Sequence, residues 1–309
     1  MAGYEVSPEF AELVGQLRAA PFRADTTAVS DLRANFEKFA ATFYDPPPVE
    51  FVPDNADGVE VEWAYTPGCD RSRVVLYLHG GGYTIGSIGA YRDFCARISE
   101  GSGAAVLSVG YRLAPEHRFP AAVEDSVAVY RWLIAHGVDA AHIVIAGDSA
   151  GGGLTIATLV RLRDSGVELA GAGVCISPLA DLAHTGASVH EKAHADPIVT
   201  PEGSHAYGVR YLGDDGDLTD PIASPLYADL HALPPILIQV GTAEVLLDDS
   251  LRLARKLRDS GVSVDLDVWP EMIHIFPFFA SRIPESRRAL KYMHTFIENT
   301  IGPSPKQHA

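Results

Sequence analysis

The hydrophobic residues of this chain change their spacing at about residue 49. Over residues 7–44 they recur at steps of three and four, the period of an amphipathic helix. These positions are Phe10, Leu13, Val14, Leu17, Leu32, Phe36, Phe39 and Phe43. Residues 45–48 read Asp-Pro-Pro-Pro, and proline cannot continue a helix because it lacks the amide hydrogen. We therefore predict helices within residues 1–48 and a new unit from residue 49.

From residue 49 onward, short apolar runs rich in valine and isoleucine alternate with stretches of helical period. This alternation is typical of a mostly parallel sheet that helices cover on both faces. The predicted strands are residues 49–53, 59–66, 74–79, 105–111, 143–146, 173–177, 236–241 and 264–269. The predicted helices are residues 90–100, 121–135, 151–164, 250–260 and 285–301. The pattern predicts one α/β domain over residues 49–302, with an eight-stranded sheet and a flexible tail at 303–309.

Residues 182–217 interrupt this alternation. The segment is polar and rich in histidine, and it carries Tyr207 and Tyr211 four residues apart. We interpret it as an insertion after the sixth strand. Together with the N-terminal helices it is predicted to form a helical cap over the carboxyl edge of the sheet, where open α/β sheets bind ligands.

Composition and charge narrow the classes of partner. The chain has 309 residues, of which 47% are hydrophobic and 21% charged, with a formal net charge of −16. A surface so acidic repels phosphate backbones, which argues against a nucleic-acid partner. No window approaches the ~18 apolar residues of a membrane span, and the first sixteen residues lack the features of a signal peptide. We expect a cytoplasmic protein that does not act in a membrane.

The cysteines do not form a recognisable framework. Cys69, Cys95 and Cys175 are odd in number, far apart and outside any CxxC spacing. We therefore expect neither a disulfide framework nor a structural zinc site, and interpret these residues as small apolar side chains.

A glycine-rich motif lies between the fifth predicted strand and the following helix. It reads Gly147-Asp148-Ser149-Ala150-Gly151. At a strand–turn–helix junction this GxSxG pattern is typical of a nucleophile elbow, in which glycines permit a sharp turn and leave the serine hydroxyl exposed above the sheet. Ser149 is the predicted nucleophile.

A second glycine motif ends the third predicted strand, at His79-Gly80-Gly81-Gly82. Acyl transfer builds negative charge on a carbonyl oxygen, and each well-aimed donor lowers that barrier by ~3 kcal/mol. We predict an oxyanion hole from the amides of Gly81, Gly82 and Ala150. His79 is not the predicted base, because the chain order nucleophile, acid, histidine places the base downstream of Ser149.

The base and the acid are sought in the loops that follow the last two strands. His274 is the only one of twelve histidines that follows such a strand, so it is the predicted base. Glu244 and Asp248 both lie in the preceding loop and are both candidate acids. Asp248 and Asp249 have a second interpretation as the N-cap of the next helix.

Residues 190–194 read His-Glu-Lys-Ala-His, which matches the HExxH pattern of zinc metallopeptidases. Asp196-Pro197 would end a helix within three residues, and no third ligand follows at a recognised spacing. We therefore do not predict a metal site there.

Taken together, these motifs resemble the hormone-sensitive lipase family of the α/β-hydrolase fold, also called bacterial esterase family IV. The resemblance lies in HGGGY at 79–83, YRLAPEHRFPAAVED at 111–125, GDSAGG at 147–152, EVLLDD at 244–249 and His274. It implies a Ser-acid-His triad, a helical cap, no cofactor or metal, and hydrolysis of short or medium acyl esters. The family usually has Asp-Pro-Leu-x-Asp at the acid position. Aligning that pattern here places Glu244 on the acid and Asp248 on the second carboxylate.

The sequence thus predicts a carboxylesterase that acts on a small-molecule ester with the triad Ser149, Glu244 and His274. The alternatives are a lactone or amide hydrolase of the same family and a non-catalytic receptor. Plant gibberellin receptors resemble the same family but have lost the histidine, which this chain retains. Candidate residues of the substrate pocket are Tyr83, Asp148, Tyr207 and Tyr211, together with Phe36, Phe39 and Phe43. The resemblance also suggests a homodimer through the edge of the last strand.

Overall fold

A computed structural model describes residues 6–20 and 24–302 and contains one eight-stranded sheet in that part of the chain. The strands are β1 (Glu50–Ala56), β2 (Val59–Tyr65), β3 (Asp70–Leu78), β4 (Ala104–Gly110), β5 (Ile143–Asp148), β6 (Ala172–Ile176), β7 (Ile236–Gly241) and β8 (Val264–Trp269). Their order is β1-β2-β4-β3-β5-β6-β7-β8, and only β2 runs antiparallel to its neighbours. The predicted fold class is confirmed.

Helices precede the first strand, occupy several of the connections between strands and follow the last strand. They are α1 (Pro8–Ala19), α2 (Val29–Ala41), α3 (Ile88–Ser102), α4 (Ala121–Ala135), α5 (Ala150–Asp164), α6 (Ser188–Glu191), α7 (Pro201–Leu212), α8 (Leu247–Asp259) and α9 (Pro284–Ile301). Within the described ranges, none of these helices has both the length and the apolar character that crossing a bilayer requires.

Both faces of the sheet are buried, which explains the unbroken apolar runs of its central strands. In β3, Val74 and Leu76 belong to the hydrophobic cluster on one face, whereas Val75 and Tyr77 belong to the cluster on the other. Side chains alternate across a strand, so a strand covered on both faces needs apolar residues at consecutive positions.

The N-terminal helices pack against the α/β unit. Leu32 and Phe36 of α2 are buried in the cluster that also contains residues of α3 and α9. The guanidinium of Arg33 donates to the carbonyl oxygens of Thr84 and Ala114 and to the carboxylate of Glu116. The helix α2 is therefore attached to the loops that follow β3 and β4.

The insertion predicted at about 182–217 lies between β6 and β7 and contains α6 and α7; we call residues 182–217 the cap segment. The HExxH pattern within it does not form one helix, since α6 ends at Glu191 and His194 lies in the turns that follow. No group of three or more potential metal-ligating side chains converges within residues 6–20 and 24–302. The proposed domain boundaries remain predictions, and the predicted tail at 303–309 lies outside the described residues.

Candidate active site

The chain turns sharply at Ser149, between the end of β5 and the start of α5. Ser149 has φ 53° and ψ −119°, a backbone conformation that costs a non-glycine residue free energy unless its surroundings enforce it. Its amide donates to the carbonyl of Ile176 at 2.8 Å, and its carbonyl accepts from the amides of Gly153 and Leu179. The strained backbone of Ser149 is thus held by hydrogen bonds to α5 and to residues at and after the end of β6.

Two glycines of the GDSAG motif are required by close packing of the backbone. A Cβ on Gly147 would lie 2.3 Å from the carbonyl oxygen of Gly151, and a Cβ on Gly151 would lie 1.9 Å from that of Leu78. Any side chain at these positions would push β5 and α5 away from β3. The turn can therefore present Ser149 only if both positions lack a side chain.

Three predicted residues form one chain of hydrogen bonds. The hydroxyl of Ser149 lies 2.9 Å from Nε2 of His274, and Nδ1 of His274 lies 2.8 Å from Oε2 of Glu244. An ionised carboxylate only accepts, so Nδ1 is the donor and Nε2 is left to accept the serine proton. His274 is 2% exposed and Glu244 is fully buried.

The carboxylate of Glu244 is held by two further donors. The hydroxyl of Ser177 donates to Oε1 at 2.9 Å, and the amide of Gly241 donates to the same oxygen at 2.7 Å. Ser177 also accepts from the amide of Ile275, the residue after the histidine. The sequence prediction did not include Ser177; its one signal was a serine directly after β6, beside the ends of the strands that carry the acid and the base.

Asp248 does not bond to the histidine. Its carboxylate accepts from the amide of Ser188 in the cap segment at 2.9 Å. The N-cap interpretation of Asp248 and Asp249 is wrong, because α8 begins at Leu247 and places both residues in its first turn. Asp249 is fully buried and accepts from the amides of Ala180 and Asp181.

The pKa of His274 is raised above its ordinary value of 6.5. Burial of the ring lowers the pKa, but the hydrogen bond and charge of Glu244 raise it, as do the charges of Asp196 and Asp148. Their combined effect exceeds that of burial. The surroundings of His274 therefore favour its imidazolium form.

The three amides predicted for the oxyanion hole have no hydrogen-bond acceptor among residues 6–20 and 24–302. Gly81 and Gly82 have φ of +113° and +60°, and both line the cavity beside Ser149. A Cβ on Gly82 would lie 2.3 Å from Cγ of Tyr207, so only glycine fits beneath that ring. These amides are consequently available to a bound oxyanion.

Asp148 links the loop that carries the glycine motif to the turn at Ser149. Its carboxylate accepts from the amide of Gly80 at 2.9 Å and from the hydroxyls of Tyr77 and Tyr91 at 2.7 and 2.8 Å. Burial raises the pKa of Asp148 to about 6, although these three donors act in the opposite direction. The residue lines the cavity as predicted and also sets the position of the oxyanion loop.

His79 is excluded as the base by its surroundings. Burial lowers its pKa to about 4, and its Nδ1 donates to the carbonyl of Gly80 at 2.7 Å. Its ring stacks on Tyr111 at 4.3 Å between centroids. The role that these contacts support is to shape the loop after β3.

A mostly apolar cavity of about 760 Å³, including the part that opens to solvent, leads to Ser149 and His274. Its other lining residues are Ala24, Phe36, Phe39, Gly81, Gly82, Ile85, Tyr91, Asp148, Leu179, Ile198, Val199, Thr200, Gly203, Ser204, Tyr207, Leu246 and Ile275. The walls thus come from α2, from the cap segment and from the loops at the carboxyl edge of the sheet.

Three of the aromatic residues predicted for the pocket are not among those that line it. Tyr83 and Tyr211 are buried and stack on each other, with 3.7 Å between ring centroids and 5° between planes. Phe43 packs edge-on against Phe279. These rings join the cap segment and α2 to the α/β unit, whereas Phe36, Phe39 and Tyr207 reach the cavity.

Comparison with known proteins agrees with this geometry. Residues 75–278 match the model of a family with the α/β-hydrolase fold. An acetyl-hydrolase of Streptomyces hygroscopicus is 42% identical over 79% of this chain and 81% of its own length. An ethyl acetate hydrolase of Pseudomonas putida is 33% identical over 70% of each chain.

Among solved structures, a bacterial esterase of the hormone-sensitive lipase family has a TM-score of 0.92 and 43% identity, covering 97% of this chain and all of the other. A hormone-sensitive lipase from a metagenome library has a TM-score of 0.91 and 34% identity over 97% of this chain and all of the other. The chain belongs to the α/β-hydrolase fold family and, within it, to the esterases of the bacterial hormone-sensitive lipase family.

Proposed function

We propose that this protein is a carboxylesterase that hydrolyses short- to medium-chain acyl esters, with Ser149 as nucleophile, His274 as base and Glu244 as acid. The observation that carries the proposal is the hydrogen-bonded chain from Ser149 through His274 to Glu244. It ends in an apolar cavity beside three amides that have no acceptor within the described residues. These are the nucleophile, base, orienting carboxylate and electrophilic donors that acyl transfer needs.

In the first half-reaction, Nε2 of His274 accepts the proton of Ser149 as the serine oxygen attacks the ester carbonyl. The amides of Gly81, Gly82 and Ala150 donate to the oxyanion of the tetrahedral intermediate. His274 then gives the proton to the departing alcohol, which leaves an acyl-enzyme. In the second half-reaction, His274 activates a water molecule, and its attack releases the acid and restores Ser149.

Glu244 serves this cycle without giving up its charge. Three donors hold its carboxylate, from His274, Ser177 and the amide of Gly241. A buried, fully hydrogen-bonded carboxylate keeps the imidazole in the required tautomer and stabilises its cation. Gly241 and Ser177 both donate to Oε1 and hold the longer side chain that glutamate has here in place of the family's usual aspartate.

The dimensions and lining of the cavity favour substrates with acyl groups of limited length. Phe36 and Phe39 of α2 and Val199 and Tyr207 of the cap segment line it near Ser149. Two relatives are named for the hydrolysis of acetyl compounds and of ethyl acetate, which are small acyl substrates. Apolar walls bind an alkyl chain, and the volume of the cavity limits its length.

Lactones and amides are further candidate substrates, since both yield the same acyl intermediate. A receptor-like role without turnover is disfavoured by the intact contact between His274 and Ser149. The cytoplasmic location and the homodimer stay predictions.

Removal of the nucleophile tests the proposal most directly. We expect Ser149→Ala to lower kcat for p-nitrophenyl butyrate by ~10⁴-fold or more, because no other group can form the acyl-enzyme. Labelling with a fluorophosphonate probe should disappear in the same variant. A near-wild-type rate, or a wild-type protein that neither turns over esters nor reacts with the probe, would contradict the assignment.

The acid is identified by comparing two isosteric changes. Glu244→Gln should lower kcat by ~10³-fold or more, because it removes the charge that orients and stabilises His274. Asp248→Asn is the matched control, since its carboxylate bonds to Ser188 and not to the histidine. We expect its kcat to stay within roughly tenfold of wild type. A larger loss in Asp248→Asn than in Glu244→Gln would assign the acid to Asp248.

The pH dependence follows from the raised pKa of His274. The imidazole must be neutral to accept the serine proton, so activity is lost as pH falls through that pKa. Because the pKa is raised, the acid limb of kcat/KM should have its midpoint above 6.5. In Glu244→Gln the midpoint should move to lower pH, since a charge that favours the cation is gone. A wild-type midpoint below 6.5 would be inconsistent with this environment.

A series of p-nitrophenyl esters tests which acyl chain lengths the cavity accepts, because the leaving group stays the same. We expect kcat/KM to be highest among acetate, butyrate and octanoate, and at least ~10-fold lower for palmitate. The part of a long acyl chain that the cavity cannot hold would stay exposed to water or displace the cap segment. Equal values for butyrate and palmitate would show that the cavity opens further than the structure indicates.

A further inference from the structure

The cap segment reaches the loop of the proposed acid through one buried carboxylate. Asp196 is 6% exposed, and its Oδ2 accepts from the amide of Val245, the residue after Glu244, at 3.0 Å. Its Oδ1 accepts from the amides of Ile198 and Val199 at 2.9 and 3.0 Å. Ile198 and Val199 line the cavity. One side chain therefore contacts both a wall of the cavity and the peptide beside the acid.

The same peptide is held from its other side by the cap segment. The hydroxyl of Ser188 donates to the carbonyl of Val245 at 2.7 Å and accepts from the amide of Asp248 at 2.9 Å. Both polar backbone groups of Val245 thus pair with residues of the cap segment. A movement of the loop of Glu244 would therefore break these hydrogen bonds unless the cap segment moved with it.

We propose that Asp196 is a positioning residue that couples the cap segment to the proposed triad, holding the loop of Glu244 while it shapes the cavity wall at Ile198 and Val199. The inference rests on the proposed function of Glu244 and His274. Asp196 does not touch the reacting atoms; it acts through Val245 on the acid and through its charge on the base.

The electrostatic part of this role is separate from the geometric part. Three carboxylates act on His274, namely Glu244, Asp196 and Asp148, and each favours its cation. Burial raises the pKa of Asp196 to about 6, so the carboxylate carries its charge above that pH. A neutral side chain at position 196 would remove one of these three charges.

Asp196→Asn is the variant that tests this. Asparagine has one acceptor oxygen and one NH2 donor where aspartate has two acceptors, so the bonds to the cavity wall and to the acid loop cannot all persist. We expect kcat for p-nitrophenyl butyrate to fall about tenfold or more, the factor for one lost hydrogen bond to a charge. We also expect the pKa of His274, from proton NMR titration, and the acid limb of kcat/KM to shift to lower pH.

Asp249→Asn is the matched control. Asp249 is also a buried carboxylate that accepts backbone amides, but those belong to Ala180 and Asp181 before the cap segment. Its kcat and the pKa of His274 should remain near wild type. Equal losses of kcat and melting temperature in both variants, with no change in the pKa of His274, would overturn the proposal and reduce Asp196 to a structural anchor.

A second variant and a substrate-free measurement distinguish loss of folding, loss of coupling and failure of the proposed function. If Asp196→Asn does not fold, as judged by circular dichroism, Asp196→Ser removes the charge without placing an amide donor against Val245 and carries the same expectations. The NMR titration needs no substrate, so it tests the coupling even if the protein hydrolyses a different acyl compound. A failure of the proposed function itself would instead appear as unchanged turnover in Ser149→Ala.

Discussion

Burial of the Glu244 carboxylate is the constraint around which the site is organised. A charge removed from water is tolerated only if hydrogen bonds satisfy it, and removal of one partner leaves a costly unpaired group. Its donors come from His274, Ser177 and the backbone of Gly241. These lie after β8, after β6 and at the end of β7, so one acidic group ties together three strand ends.

Close backbone contacts supply the other half of the site. The carbonyl of Leu78 lies where a side chain on Gly151 would project, which brings the end of β3 against the start of α5. Asp148 then bonds to the amide of Gly80 across the same gap. The proposed nucleophile and the glycine loop after β3 are therefore positioned relative to each other by contacts that exclude side chains, and the proposed oxyanion donors are in place before substrate binds.

The parts of the site that the sequence predicted are those with a local signal. Ser149 and the glycines at 81 and 82 each follow a buried strand with a recognisable pattern, and parallel strands bring their carboxyl ends to one edge. His274 is predicted from its place in the loop after the last strand, downstream of Ser149. The choice of Glu244 over Asp248 needed a family pattern, and the hydrogen bond between Glu244 and His274 supports that choice without testing activity.

By itself, the sequence determined the fold class, the strands that the candidate residues follow, and the candidate nucleophile and base. These depend on the spacing of apolar residues and on turn residues, which are local features of the chain. Tertiary structure decided which aromatic rings face the cavity, since Tyr83 and Tyr211 stack on each other and are not among the residues that line it. It also decided the partners of Asp196 and Ser177, whose bonds span about 49 and 67 residues of chain. No local pattern records such pairings, because they exist only once distant segments pack and must satisfy each other's buried polar groups.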